Sequence, residues 1–223
     1  METATRNLPE TPRTPEAQGN IKATREDWIR AALDTLVDSG VSEVKILGLA
    51  TRLDVSRSSF YWYFRNRTDL RASLLDHWED TNTQALVAHT RAPADTITQA
   101  VAHFFRCFLN PLIFDQKLDF AVREWSRRDA DVRQKVRAND MMRQAAIQAM
   151  FERHGYAPPE ADIRTRILYY QQIGYYALDL AEPLAERQAR VAGYLEGFTG
   201  VTPSQAEVAA ARAYAAAHVK DAD

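Results

Sequence analysis

Six basic side chains crowd the stretch from Lys45 to Arg71: Lys45, Arg52, Arg57, Arg65, Arg67 and Arg71, opposed there only by Asp54 and Asp69. The whole chain carries a formal net charge of −2, so the remainder is acidic and the basic residues form a local island. Such an island is the electrostatic footprint expected of a surface that neutralises phosphate. The neighbouring residue types fit the same chemistry. Ser56, Arg57, Ser58 and Ser59 stand together at the start of a short helical stretch. There a guanidinium can grip guanine O6 and N7, and a hydroxyl can donate or accept at any base pair. Tyr61, Tyr63, Arg65 and Arg67 follow and, with Lys45, suit phosphate oxygens, which set register without reading bases.

Helices must position these groups. Thr24, with Asp27 three residues on, has the form of a capping box, and Trp28, Ile29, Ala32, Leu33, Leu36 and Val37 recur at helical spacing up to Gly40. This predicts a first helix over 25–39. Ile46, Leu49, Ala50 and Leu53 mark a short second helix, Asp54-Val55-Ser56 a turn, and Ser56 the cap of a third helix over 57–63. Two short helices joined by a tight turn form the helix-turn-helix pattern, whose second helix enters the major groove by its N-terminal end. Phe60, Trp62 and Phe64 read as packing residues of this unit.

The segment Leu53-Asp54-Val55-Ser56-Arg57-Ser58-Ser59-Phe60-Tyr61-Trp62-Tyr63-Phe64-Arg65-Asn66-Arg67-Thr68-Asp69-Leu70 resembles the signature of the TetR family of transcriptional regulators, and with the first helix and Leu49-Ala50 the likeness spans about residues 24–75. The resemblance implies an N-terminal three-helix DNA-binding domain, a homodimer and a variable C-terminal regulatory domain. It matches Tyr61 and Tyr63 to aromatics that contact the DNA backbone, and Arg67 to a phosphate-binding lysine. Two positions depart from the pattern. The family more often has His where Tyr63 stands, and Lys45 occupies a position that is often a Thr cap, leaving Ser42 as the nearest substitute.

Beyond residue 67 the apolar period continues through helices expected from Thr68 to about 89, from Pro93 to 109, over 117–127, 130–153, 160–181 and 184–197, and from a Thr202-Pro203 cap over 206–218. No stretch alternates with period two for long enough to form a strand, so the expected fold is all-α. The chain divides into a tail over 1–20, where Arg6 and Arg13 offer a minor-groove arm as the alternative to disorder, a DNA-binding domain over 21–67 and a ligand-binding and dimerisation domain over 68–223. The helix over 160–181 is apolar around much of its girth and so is expected to be buried on more than one side. Ile163, Ile167, Gly174, Ala177 and Ala181, with Val191 and Leu195 on the next helix, are the expected subunit contacts, and the family's four-helix dimer interface supports that choice. His103, Phe104, Phe108, Trp125, Tyr169, Tyr170 and Tyr176 are the expected lining of a pocket for a largely apolar or aromatic effector. Plain core packing is the competing reading of each.

Other chemistry is thinly represented. His103 and Cys107 are four apart on one expected helix, but no third ligand completes a metal site, and packing is the preferred reading. No Gly-rich phosphate loop, GxSxG elbow or HExxH occurs. An enzyme is therefore not expected, nor is a cofactor or metal. The basic stretch 120–143 is interleaved with Glu124, Asp129, Asp131 and Asp140 and reads as a salt-bridged surface. One cysteine excludes an intrachain disulfide, and no apolar run is long enough to span a membrane, so a cytoplasmic location is expected. The expected function is a dimeric repressor released from operator DNA by a small molecule. The alternative is a helical interaction protein of the same shape without specific DNA binding.

Overall fold

The computed structural model describes residues 23–178, Leu180 and residues 182–219. The 1–20 tail and Ala181 lie outside the described residues. Among those described there are ten α-helices and no strand: α1 (Arg25–Ser39), α2 (Ile46–Arg52), α3 (Arg67–Trp78), α4 (Gln84–Thr90), α5 (Ile97–Leu109), α6 (Gln116–Ser126), α7 (Ala130–Arg153), α8 (Pro158–Ala177), α9 (Leu184–Thr199) and α10 (Gln205–His218). A 3₁₀ helix, Arg57–Trp62, stands between α2 and α3, and Glu79–Thr83 joins α3 to α4 in π form.

Local chemistry explains the ends. Thr24 Oγ1 accepts from the Asp27 N–H at 3.2 Å, and the Thr24 N–H donates to Asp27 Oδ2 at 2.9 Å, so the capping box is complete. Gly40, at φ 82°, ends α1 where a side chain would be strained. Pro158 and Pro159 fill the first turn of α8, where no intrahelical N–H is needed. Three expected caps move. Asn66, not Thr68, caps α3 through the Asp69 N–H, and Thr96, three residues beyond the expected Pro93 start, caps α5 through Gln99. At the last helix the cap is Ser204 with Glu207, in place of the Thr202-Pro203 start. The stretch expected as one helix from residue 68 to about 89 is interrupted by the π segment.

Two apolar cores result. The first gathers Trp28, Ala32 and Leu36 of α1, Leu49 and Ala50 of α2, Phe60, Phe64, and Leu70, Leu74 and Trp78 of α3. It continues without a break into Leu118, Val122 and Trp125 of α6 and Val132 and Val136 of α7. The second lies among α4, α5, α7, α8 and α9 around Phe104, Phe108, Ile147, Phe151, Leu168 and Leu195.

A charged cluster sits near the junction of the two cores. Asp119 is buried and accepts from Trp78 Nε1 at 2.8 Å, Arg143 Nη2 at 2.9 Å and Arg123 Nε at 2.9 Å. Burial pushes its carboxyl up, but Arg143 and Arg123 outweigh that and hold it down at about 2. Arg143, fully buried, also donates from Nε to Thr83 Oγ1 of the π segment at 2.9 Å. Arg123 forms a two-point pair with Asp140 at 2.7 and 3.0 Å. The stretch 120–143, expected as a salt-bridged surface, therefore turns part of its charge inward.

Candidate nucleic-acid interface and C-terminal pocket

Phe60 organises the reading unit. It is fully buried, with Trp28 edge-on at 5.3 Å and Phe64 stacked at 5.2 Å, and this anchors the 3₁₀ helix to α1. The turn before it passes through Asp54 at φ 52°, a left-handed conformation that Asp tolerates better than most residues. The Val55 N–H bonds back to the Ala50 carbonyl at 3.0 Å, closing the turn onto α2. The aromatic cluster and the backbone bonds that close the turn, Val55 to Ala50 and Asp54 to Thr51, thus hold helix, turn and 3₁₀ helix together.

On this frame Ser56, Arg57, Ser58, Tyr61, Arg65 and Arg67 are exposed, and Tyr63 is half-buried. The guanidinium groups of Arg57, Arg65 and Arg67 make no ion pair among the described residues. The rest of the island is already engaged. Arg52 pairs with Asp34 at 2.9 Å and Lys45 with Glu43 at 3.1 Å, while Arg71 donates to the Val41 carbonyl at 2.9 Å. Two expectations change. Ser59 is buried, its hydroxyl donating to the Ser56 carbonyl at 2.8 Å, so it faces inward and cannot reach a base. Trp62, expected to pack in this unit, is 64% exposed, while Phe60 and Phe64 are buried in the first core. Ser56 stands at the expected cap position of the 3₁₀ helix but makes no side-chain cap bond there, and α2 is capped in position by Lys45, not Ser42, again without a side-chain bond.

The C-terminal cavity lies between α5, α8, α9 and α10, a groove of about 920 Å³ counting the part open to solvent. Phe108 and Tyr176, both expected there, do line it, as do Phe105, Arg106, Gln171, Tyr175, Arg187, Tyr194, Phe198 and Tyr214, which were not expected. Tyr176 is tied to Gln116 Nε2 at 2.8 Å, and burial pushes its hydroxyl well up. The other expected lining residues lie elsewhere. Trp125 packs in the first core, with its ring N–H on Asp129. Tyr169 is buried and donates to Asp140 at 2.6 Å, in the charged cluster. Phe104 is fully buried in the second core, Tyr170 is 53% exposed on α8, and His103 is half-buried beside the groove lining. The missed signal is the run Tyr194 to Phe198 on α9 facing Phe105 of α5, with Phe105 and Phe198 5.5 Å apart and Tyr194 stacked on Phe198 at 5.9 Å.

Ile163 and Ile167, expected at a subunit contact, are more than half exposed on α8, and Gly174 has open space where a Cβ would stand. Ala177 is also exposed. Leu195 instead points into the second core and Val191 lines the groove, and the small exposed residues of α9 include Ala189, Gly193 and Gly197. Among the described residues no three His, Cys, Asp or Glu side chains are placed to hold a metal, and burial pushes the Cys107 thiol up to about 12. No described helix is long and apolar enough to cross a membrane.

A helix-turn-helix head with outward arginines, set on a larger helical body, is the architecture of a DNA-binding transcriptional regulator. Residues 29–74 match the sequence profile of the bacterial regulatory proteins, tetR family. The solved structures agree in fold. AmtR of Mycobacterium smegmatis aligns with a TM-score of 0.58 at 17% identity, over 95% of this chain and 100% of that one. A protein described as a candidate TetR-family regulator from Rhodococcus sp. aligns at 0.56 and 15%, over 81% and 98%. The fatty acid degradation regulator FadR of Bacillus halodurans aligns at 0.55 and 12%, over 78% and 92%. No curated protein matches in sequence. The likeness to the TetR family is thus carried in sequence by residues 29–74, the DNA-binding part of the chain, and in fold by the whole.

Proposed function

We propose that the protein is a homodimeric transcriptional repressor that reads operator DNA with Arg57, Ser56 and Ser58, grips phosphates with Tyr61, Tyr63, Arg65 and Arg67, and leaves the operator when a small molecule enters the C-terminal groove. The observation that carries the DNA-binding part is the pattern of partners: among the described residues Arg57, Arg65 and Arg67 have no carboxylate, while Lys45 and Arg52 beside them do. Free guanidinium groups above a rigid aromatic core are pre-positioned for bases and phosphates. In this reading residues 21–67 form the reading unit and residues 68–223 the sensing and dimerising unit.

The dimer rests on α8. Ile163, Ile167, Tyr170, Gly174 and Leu178 recur at helical spacing on its outward side, and the four large side chains among them are 52–70% exposed. A second copy packing there, with Ala189, Gly193 and Gly197 of α9 allowing close approach, would cover this apolar strip and present two reading helices to two half-sites. Ligand would act by binding one head spacing better than the other, and only that difference in affinity can shift the equilibrium.

Selection of the bound sequence from genomic fragments, followed by band-shift titration against scrambled DNA, tests this reading. Preference for one sequence is the expected result, and equal affinity for both would leave the interaction-protein alternative. Gly174→Glu should give monomers by sedimentation and lose operator binding. A wild-type protein that is monomeric at micromolar concentration would sink the dimer.

A further inference from the structure

The groove between α5, α8, α9 and α10 has an uneven chemistry. Its walls are mainly aromatic and aliphatic, yet two arginines, Arg106 and Arg187, line it. Neither forms an ion pair among the described residues. Each is instead laid over an aromatic ring, Arg106 at 5.0 Å from the Tyr214 centroid and Arg187 at 5.7 Å from that of Tyr175. The carboxylate of the lining, Glu182, is already taken by Arg190 and by the Tyr175 hydroxyl at 3.1 Å. The groove therefore holds positive charge that the described residues do not neutralise.

Two polar atoms of the same lining residues are buried without any hydrogen-bond partner: Arg106 Nε, a donor, and Gln171 Oε1, an acceptor. Buried polar groups are nearly always satisfied, so each of these two calls for an explanation, and an occupant of the groove supplies one. We infer that the groove binds an elongated apolar molecule carrying one carboxylate, its anion held by Arg106 and Arg187 and its body lying along Phe105, Tyr194 and Phe198. A hydroxyl or N–H on the same molecule would satisfy Gln171. A neutral hydrocarbon leaves both arginines unanswered, and a cation would be repelled by them. The inference rests on the reading of this half as a sensor and adds the charge of the effector and the residues that select it.

Calorimetry on the full-length protein without DNA, using 6-phenylhexanoate and 6-phenylhexan-1-ol, tests the charge preference with one shared apolar body. The acid should bind at least about tenfold more tightly than the alcohol, the ratio expected for a charge-assisted hydrogen bond. Arg106→Gln with Arg187→Gln should erase that preference, weakening the acid far more than the alcohol, with circular dichroism showing that the fold is kept. The wild-type ratio needs no variant, so the inference stays testable if the double variant does not fold. Equal or tighter binding of the alcohol overturns it. So does the absence of binding by either probe, or a preference that survives in the folded double variant. Operator binding by the ligand-free protein, measured separately, reports on the repressor reading alone and distinguishes its failure from failure of the groove.

Discussion

The reading head and the charged cluster near the junction of the two cores use the same side chain in opposite ways. In the head, Arg57 and Arg67 are exposed over a packed aromatic core and have no carboxylate among the described residues. At the cluster, Arg143 and Arg123 point inward and converge on Asp119, with Arg143 wholly buried. Both regions are arginine-rich and both have arginines close to aromatic residues, so residue type does not separate them. The partner does. An arginine with a buried carboxylate holds the fold together, and one without is available to something outside the chain.

The contrast is broken most severely at Asp119. Asp119→Asn would leave Arg143 and Arg123 without their shared carboxylate, and a loss of about 3–5 kcal/mol in urea denaturation is expected. Replacing both members of the inner pair, Asp119→Leu with Arg143→Met, should recover much of that loss, because no uncompensated charge stays buried. A double variant as unstable as the single one would refute this account of the cluster. The carboxyl is held down at about 2, so its contribution is full above the ordinary carboxylate range. It drains away as pH falls from about 4 towards 2. The acid arm of a stability profile should show this slope in the wild type and lose it in Asp119→Asn.

Arg57→Ala should cost less, about 1–3 kcal/mol on the specific operator, and should relax preference at one base pair per half-site. Thermal stability should hardly change, since the guanidinium makes no ion pair among the described residues. Arg67→Ala should weaken operator and scrambled DNA alike. It should also lower the slope of log affinity against log salt by about 1 for each phosphate that a subunit no longer neutralises. If both variants bind operator as the wild type does, the head is not a DNA reader. The smallest effect is expected at Asn66→Ala, which removes the cap of α3: about 1 kcal/mol of stability, with base preference kept. A changed base preference there would mean that Asn66 itself touches bases.

Much of the head was legible in the sequence because its determinants are local. Thr24 and Asp27, three residues apart, specify the start of α1 without help from the rest of the chain. The turn at Asp54 and the exposed arginines follow from short spacing in the same way. Features decided by distant packing were not legible. The 57–62 stretch, expected as an ordinary helix, is 3₁₀, and nothing in its local spacing signals that. Val191 and Leu195 look like interface residues by type, yet they serve the groove and the second core, and the glycines between and after them face out. Trp125 and Tyr169 were read as pocket aromatics. Trp125 is instead taken up by the first core, with its ring N–H on nearby Asp129, and Tyr169 bonds to Asp140, 29 positions away.

The π segment Glu79–Thr83 gives the chain an unusual point of tolerance to change in length. A π turn is an α-helix holding one residue more than its hydrogen bonding needs. Each residue added to or removed from an ordinary α-helix rotates everything beyond it by about 100°. A deletion inside α3 or α4 would therefore swing the reading helix around the body, and the two heads of the proposed dimer would no longer face one groove. A deletion at Asp80, on the outer side of the segment, would instead convert the π turn to α and leave both flanking helices in phase, with Asn82 and Thr83 still able to reach Asp115 and Arg143. The junction between head and body thus holds one spare residue, so losing one there should be tolerated better than losing one inside α3 or α4.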